Sequence, residues 1–406
     1  MPRSSTAALV LAAALAGFGC EAEKPQPRRQ PAKLGQPVPV PHLPKPPPLA
    51  RDGTWPASRE GCVFAFDTAE KPVTAFAPDG SLIRGYGVFL AQLQARDLAV
   101  PDRWGRLRVT GGSYQATGAG PYVAEAARRA GAFSVESVLA PDGLAAAGPA
   151  EIVSFGPPQG PRNFALAQDG RRLVLLLRTS APKAARVPIL EFSSTRPVHV
   201  AVTYRPGTLA AYLNGRPVHE TAAVTGDLAN WAAGDLVLGS APDRRGDWAG
   251  TLEGVAVYAR ALAPEEVELG AEARLKALAE RPVPAVLKVR ARLLARSPTP
   301  SYERIKPHWQ AVAGYLYEVE EVLQGRCEAK RIVVFHWTML DKKMLPFAHA
   351  PVGQTYDLVL DPYDDQRLLR DVPRFDDLYD DKDLGAAYLD WPAYYDAGGL
   401  SLQWRP

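Results

Sequence analysis

A run of alternating apolar residues that leads into a tight turn constrains the fold of this chain more than any other stretch. Residues 198–204 read VHVAVTY, and 209–213 continue with a second alternating run. Period-two alternation is typical of an antiparallel strand with one buried face. The pair Asn214-Gly215 tolerates the positive φ angles of a two-residue hairpin turn. The sequence therefore predicts a β-hairpin over 209–218, next to the strand at 198–204.

Short strand patterns recur upstream of this hairpin. Residues 62–67, 133–139 and 152–156 read as strands, and 162–178 contains two more around Asp169-Gly170. Brief helical spacing is confined to 122–130. Many short strands with regular turns and little helix favour a sandwich of two antiparallel sheets. The chain is long enough for two such cores, since it has 406 residues.

The order of these pieces resembles a known family. The matching parts are the strand 199–204, the hairpin 212–215, the strand end Leu238-Gly239, the strand 248–258 and the closing segment 260–267. Together they resemble the second half of a laminin-G-like domain of the concanavalin A-like lectin/glucanase superfamily, and the resemblance extends over about 61–268. It implies a jelly-roll sandwich. Ala263 stands where the family usually has a capping Ser or Thr, but Pro264 and the acids after it still suit a helix start. We interpret the helical pattern at 266–281 as a connector helix.

A second, small β domain is predicted at 283–362. Residues 287–293 alternate between apolar and basic side chains, and a strand, a Val-Leu-x-Gly turn, a second strand, a Pro-x-Gly loop and a third strand follow. This succession resembles small netrin-like or OB-like barrels. Residues 363–406 are rich in Asp and aromatic residues, and we expect an irregular tail there. The predicted fold class is thus mainly β, a concanavalin A-like jelly-roll sandwich followed by a small β-barrel-like domain.

The N-terminus indicates export. Residues 1–20 contain a single basic residue, Arg3, an apolar run at 7–16 and Cys20 after a small Gly19. The segment resembles a bacterial lipoprotein signal peptide, although Gly17 stands where Leu or Val is usual. The resemblance implies lipidation of Cys20 and an anchor in the cell envelope, at the outer membrane by default. Residues 21–58 are rich in proline, which favours an extended, disordered linker.

Charge and cysteine content exclude several classes of protein. The formal net charge of +3 is too small to predict a nucleic-acid partner. No Cys-x-x-Cys pair occurs, so no zinc ribbon or redox dithiol is encoded. Besides Cys20, the chain has Cys62 and Cys327. These two either form one disulfide between the domains in an oxidising envelope or remain as part-buried thiols.

No catalytic constellation is visible, so no catalytic residue and no enzymatic activity are predicted. Glucan hydrolases that share the resembling fold carry paired carboxylates on one strand, and a retaining pair must lie close together. Here Glu136 stands alone in its strand. His199 falls on the polar face of its strand, and we predict a solvated or hydrogen-bonded role for it.

Candidate binding residues come from two regions. Asp243 and Asp247 are candidate calcium ligands, because calcium prefers carboxylate and carbonyl oxygens. Arg244 and Arg245 lie between them and offer local ion pairs instead. Aromatic rings stack on sugars, while Arg and Asn bond hydroxyl groups. The candidate ligand residues are Arg162, Asn163, Tyr212, Trp231 and Trp248, each with packing within the fold as the alternative.

Three functions follow as hypotheses. The first is a non-catalytic envelope lipoprotein that binds a polysaccharide or an envelope protein through the jelly roll, without a certain cofactor. The second is a glycan-active hydrolase or lyase with a site that the sequence does not reveal. The third is a structural protein–protein adaptor.

Overall fold

The protein was analysed as a computed structural model. The structure describes residues 55–67 without 57 and 59, 74–75, 93–281 without 103, 104 and 117, 286–363, 369, 372–378 and 387–390. These residues all belong to one compact unit. The predicted signal peptide, its Cys20 and most of the predicted linker lie outside the described residues. No helix in the described ranges is both long and apolar enough to cross a membrane.

Antiparallel strands dominate both domains. The first domain contains the strands β1 Cys62–Asp67, β2 Thr74–Ala75, β3 Leu93–Asp97, β4 Val100–Pro101, β5 Leu107–Arg108, β6 Gly112–Ala116, β7 Phe133–Pro141, β8 Ala146–Gly156, β9 Phe164–Gly170, β10 Arg172–Leu177, β11 Ala185–Glu191, β12 Val198–Arg205, β13 Thr208–Leu213, β14 Arg216–Thr221, β15 Asp235–Leu238 and β16 Gly250–Tyr258. Its helices are α1 Ala119–Ala130 and α2 Pro264–Ala279. The second domain contains β17 Leu287–Arg296, the helix α3 Tyr302–Ile305, β18 Ala311–Gln324, β19 Arg331–Leu340, β20 Lys343–Met344, a 3₁₀ turn Pro346–His349, β21 Thr355–Pro362, β22 Arg374–Phe375 and β23 Ala387–Asp390.

Two sheets stack in the first domain, as the alternation predicted. In the described residues the first sheet follows the order β14-β13-β12-β7-β16-β1-β2, with β4 and β5 attached to β16, and the second follows β11-β10-β9-β8-β15-β6-β3. One apolar core fills the space between them. The predicted hairpin is confirmed: β13 pairs with β14 around Asn214 and Gly215, whose φ angles are 51° and 82°. Both angles lie in the left-handed region that this turn requires.

Helix α2 is part of the first domain rather than a connector. It covers the outer face of the first sheet, where Val267 packs with Ala201, Tyr212 and Tyr258. Its start has no side-chain cap, since residue 263 is alanine; instead Glu266 accepts a hydrogen bond from the Ala263 backbone N–H at 2.8 Å. This third layer corrects the prediction of a connector helix. The helix packs there because apolar side chains on the outer face of the first sheet are stabilised by burial against another element.

The end of the predicted linker is also packed against this layer. Trp55 is buried and belongs to the same apolar cluster as α2. Ser58 accepts a hydrogen bond from Arg260 at 2.8 Å. The prediction of a disordered linker up to residue 58 is therefore wrong at its C-terminal end. Burial of the large apolar indole ring of Trp55 stabilises this end of the segment.

The second domain is a closed barrel. In the described residues β17 pairs with β18 and β21, β19 pairs with β18 and β23, and β23 returns to β21, so five strands form a ring. Strand β23 lies in the segment that was predicted to be an irregular tail. That prediction is wrong for 387–390, since these residues fill the gap between β19 and β21 and satisfy the backbone groups of both edges.

The two domains share an apolar contact. Val100, from the first domain, belongs to one buried cluster with Val312, Phe335 and Trp337 of the barrel. Leu98 packs against the same cluster. Around it lie ion pairs between Arg96 or Arg244 of the first domain and Asp341 of the barrel. The contact therefore has an apolar centre and a charged rim, as stable protein interfaces do.

Candidate functional site

The outer face of the second sheet is lined by small side chains. Two rows of directly paired residues cross it: Leu176, Ala165, Ser154 and Val237 in one row, and Val174, Ala167 and Glu151 in the other. Successive side chains of a strand point to opposite faces of the sheet. The neighbours of these residues in each strand belong to the apolar core between the sheets, so these residues lie on the other face. Glu151 is a buried charged group on this face, whereas the other charged residues in the same register, such as Arg172 and Glu191, are exposed.

Arg162 joins this face to a distant loop. It lies between β8 and β9, and its Nε donates to Glu151 Oε2 at 3.2 Å. Its Nη2 donates to Asp243 Oδ1 at 2.8 Å. Asp243 comes from the loop between β15 and β16, far away in sequence. We name Glu151, Arg162 and Asp243 the acidic cluster. It is buried at Glu151 and open to solvent at Asp243.

The two carboxylates of the acidic cluster have opposite electrostatic surroundings. Burial raises the pKa of Glu151, and the charge and hydrogen bond of Arg162 only partly oppose that effect. Burial also acts to raise the pKa of Asp243, but there the hydrogen bond and charge of Arg162 prevail and the pKa is lowered. The same guanidinium therefore faces one carboxyl group with a raised pKa and one with a lowered pKa.

We expect these two groups to titrate on opposite sides of their ordinary values, about 4.3 for Glu and 3.9 for Asp. Asp243 then stabilises the fold above its unfolded pKa, and this contribution is lost as the pH falls through its lower folded pKa. Glu151 acts in the opposite sense: its ionisation weakens the fold as the pH rises from about 4.3 through its raised folded pKa. A carboxyl ¹³C NMR titration measures both groups. In Arg162→Ala the pKa of Asp243 should move up towards 3.9; overlapping titrations in the wild type would contradict the assignment.

The loop that carries Asp243 closes on itself. Asp247 accepts a hydrogen bond from Ser240 at 2.5 Å, and Glu151 N–H donates to the Gly246 carbonyl at 2.9 Å. The two candidate calcium ligands, Asp243 and Asp247, thus each receive a hydrogen bond from a protein side chain. Within the described ranges no group of three His, Cys, Asp or Glu residues is arranged to hold a metal ion.

Both tryptophan candidates for ligand binding are core residues. Trp231 and Trp248 are each 1% exposed, so neither ring offers a face to a sugar. Trp231 donates from Nε1 to the Arg178 carbonyl at 2.7 Å, and Trp248 donates to Gln168 at 2.8 Å. The packing alternative holds for both, because a buried indole needs both apolar neighbours and one hydrogen-bond acceptor.

Asn163 and Tyr212 are likewise internal. Asn163 is fully buried, and its amide donates to the Ala232 carbonyl at 2.7 Å while its oxygen accepts from the Ala232 N–H at 3.0 Å. It pins the loop before β15. Tyr212 packs under α2. Of the five candidate ligand residues, the structure leaves only Arg162 at a partly open surface.

The cysteines are not joined by a disulfide. Cys62 is buried at the start of β1, and its Sγ donates to the Phe64 carbonyl at 3.3 Å. Cys327 is half-buried on the barrel, next to the Ala329 carbonyl at 3.6 Å. Of the two alternatives, the structure therefore has two thiols, since each sulfur packs within its own domain.

A buried polar chain lies beneath α2, in a place where the sequence predicted a polar strand face. His199 Nε2 is 3.4 Å from Glu136 Oε1, and Tyr258 donates to Glu136 Oε2 at 2.9 Å. All three are nearly inaccessible. Burial, together with the Glu136 carboxylate, raises the pKa of Tyr258 well above its ordinary value, so its hydroxyl remains a donor. Of the two roles predicted for His199, the solvated one is wrong, because alternation does not reveal that a helix covers that face.

Comparison with known proteins finds a family model that matches most of the first domain. The model of a family described as the concanavalin A-like lectin/glucanases superfamily matches residues 112–268. No curated protein matches the chain. Among solved structures, Trypanosoma rangeli sialidase in complex with the inhibitor DANA is 19% identical, with a TM-score of 0.33 over 44% of this chain and 29% of that one.

Two other solved structures are similar over a shorter stretch. The CBM40 of Ruminococcus gnavus IT-sialidase, bound to α2,3-sialyllactose, is 13% identical, with a TM-score of 0.29 over 34% of this chain and 80% of that one. Domain 4 of an extracellular arabinanase from Geobacillus stearothermophilus, in complex with arabinotriose, is 13% identical, with a TM-score of 0.29 over 43% of this chain and 80% of that one. The predicted resemblance is thus confirmed for residues 112–268, which match the concanavalin A-like lectin/glucanase superfamily.

Proposed function

We propose that this protein is a non-catalytic lipoprotein of the cell envelope that binds a neutral polysaccharide through its first domain. The acidic cluster carries this proposal, because it joins groups that bind hydroxyls and reaches solvent at Asp243. The match of residues 112–268 to a superfamily named for lectins and glucanases supports the same function.

The chemistry of the acidic cluster suits a sugar with free hydroxyl groups. Ionised carboxylates accept hydrogen bonds from hydroxyls, and a guanidinium donates to ring and hydroxyl oxygens. The carboxylates of Glu151, Asp243 and Asp247 are matched in number by the guanidinium groups of Arg162, Arg244 and Arg245, so the region has no formal net charge. A region without net charge does not attract a charged polymer, so a neutral polysaccharide fits it.

Binding of the full chain to immobilised dextran, arabinan, galactan and xylan, with alginate and pectate as anionic controls, tests this function. Arg162→Ala should weaken binding of a neutral polymer by roughly tenfold to a hundredfold, since hydrogen bonds to charged groups contribute about 1.5–3 kcal/mol. Arg172→Ala is the matched control, because Arg172 pairs with Glu191 on an exposed part of the same sheet. Binding to none of the polymers would overturn the proposal and favour the adaptor hypothesis.

The anchor is proposed from the N-terminal sequence. Lipidation of Cys20 attaches the chain to a membrane, and the proline-rich stretch between Cys20 and the packed Trp55 acts as a spacer. Growth with an alkyne-tagged fatty acid labels a lipoprotein. We expect label on the wild-type protein and none on Cys20→Ser, with the labelled protein in the outer-membrane fraction. Equal labelling of both would contradict the anchor.

A glycan-active enzyme is the second candidate, and one observation favours it. Glu151 and Asp243 have pKa values shifted in opposite directions, as an acid and a nucleophile or base require. Arg162 stands between them, which suits binding better than turnover. Incubation with the same neutral polymers and an assay for new reducing ends decides between the two. Turnover that disappears in Glu151→Gln would establish the enzyme, and intact polymers support the binding protein.

A further inference from the structure

The loop of residues 240–247, named here the bridging loop, is held from two sides. Asp243 faces the first domain and accepts from Arg162. The next residue, Arg244, faces the barrel, where its Nη2 lies 3.4 Å from Asp341 Oδ2. Arg244 also pairs with Asp97. Consecutive residues of one loop thus make ionic contacts with the acidic cluster and with the second domain.

Asp341 is a fixed anchor for this loop. It is 8% exposed, and its carboxylate also accepts from the Asp97 backbone N–H at 3.3 Å and faces Arg96 at 3.6 Å. The turn that carries it is tied down as well, since the Lys342 N–H donates to the Trp309 carbonyl at 2.8 Å. Arg96 and Lys342 both lie over the Trp309 ring, at 3.7 and 3.9 Å from its centre.

The backbone of the bridging loop includes a residue in a rarely adopted conformation. Arg244 has a φ angle of +62°, a conformation that L side chains rarely adopt, and Gly246 has one of +74°. The loop's own backbone bonds join Arg244 N–H to the Ala241 carbonyl, and Glu151 N–H to the Gly246 carbonyl. A strained residue persists only where surrounding contacts fix it. For Arg244 those contacts are the carboxylates of Asp97 and Asp341.

We propose that Asp341 of the barrel is a positioning residue for the carbohydrate site of the first domain. It fixes Arg244, and because adjacent Cα atoms are about 3.8 Å apart, it thereby fixes Asp243 against Arg162. The second domain then contributes to polysaccharide affinity without touching the polymer. This role rests on the proposed function, since it concerns the same acidic cluster.

Asp341→Asn in the full chain tests the role. Hydrogen exchange of the amides of Glu151 and Arg244 should become faster, while the urea midpoint of global unfolding changes little. Affinity for the neutral polymer that binds best among dextran, arabinan, galactan and xylan should fall by roughly twofold to thirtyfold. Asp357→Asn is the matched control, because Asp357 pairs with Arg290 on an exposed face of the barrel.

A double variant separates positioning from general damage. If Asp341 acts only through the acidic cluster, Asp341→Asn should weaken binding much less when Arg162 is already alanine. Additive losses, or unchanged exchange of the two amides, would overturn the role. Wild-type protein that binds none of the four polymers overturns the proposed function and this role with it. Wild-type binding that Asp341→Asn leaves unchanged overturns the positioning role alone.

Discussion

Trp231→Ala is expected to lower the free energy of unfolding by about 3–5 kcal/mol, the usual cost of removing a large buried aromatic side chain. The Trp231 ring centre lies 5.1 Å from that of Phe133 and 5.8 Å from those of Phe155 and Phe164. Its removal leaves a cavity at the centre of the sandwich and an unpaired carbonyl on Arg178. Urea unfolding monitored by circular dichroism measures the change.

The control for this variant is Trp309→Ala, at the half-buried ring between the domains. It should cost less, because fewer contacts and no core cavity are involved. The same measurements, with polysaccharide binding added, distinguish a core-packing role of Trp231 from a role in stacking on a sugar. A stable Trp231→Ala protein that has lost polysaccharide binding would refute the core assignment and restore the ligand-stacking role.

Val100→Asp is expected to destabilise the contact between the domains by on the order of 3–5 kcal/mol, as for an uncompensated buried charge. Val100 is 1% exposed and packs with Val312, Phe335 and Trp337. The aspartate would replace an apolar side chain among the apolar members of this cluster, whose contacts with Val100 it removes. Limited proteolysis should then separate the two domains faster than in the wild type.

Val100→Ile serves as its control, since it keeps the apolar character and adds one methyl group. We expect its proteolysis rate and urea midpoint to stay close to those of the wild type. If Val100→Asp behaved like Val100→Ile, the cluster would not hold the domains together, and the apolar contact would be incidental.

Sequence patterns predicted the parts of the fold that depend on local interactions. The hairpin at Asn214-Gly215 follows from the turn itself, and the two-sheet sandwich follows from alternation in strands such as 198–204. Alternation indicates which face of a strand packs in the core, but it does not show whether another element covers the opposite face. For this reason the burial of His199 under α2, and the role of α2 itself, could not be predicted.

The candidate site was beyond prediction for a different reason. Glu151 and Asp243 lie in separate segments, and only the folding of two loops over one sheet face brings them to Arg162. They do not lie on one strand, which is where the sequence pattern places paired carboxylates. Arg162 and the two tryptophans were all predicted as ligand residues because of their residue type. Arg162 lies at a partly open surface, but the tryptophans are buried in the core. Residue type indicates chemistry, and burial decides whether it is available.

The late position of β23 affects how the chain is made. The barrel begins at residue 287, but its ring is completed only by residues 387–390, about a hundred residues later. Until those residues leave the ribosome, β19 and β21 each have an unsatisfied edge that attracts other strands. A chain of this design gains from being held unfolded until residues 387–390 have been made, and a product that stops short of residue 387 is a candidate for aggregation and removal.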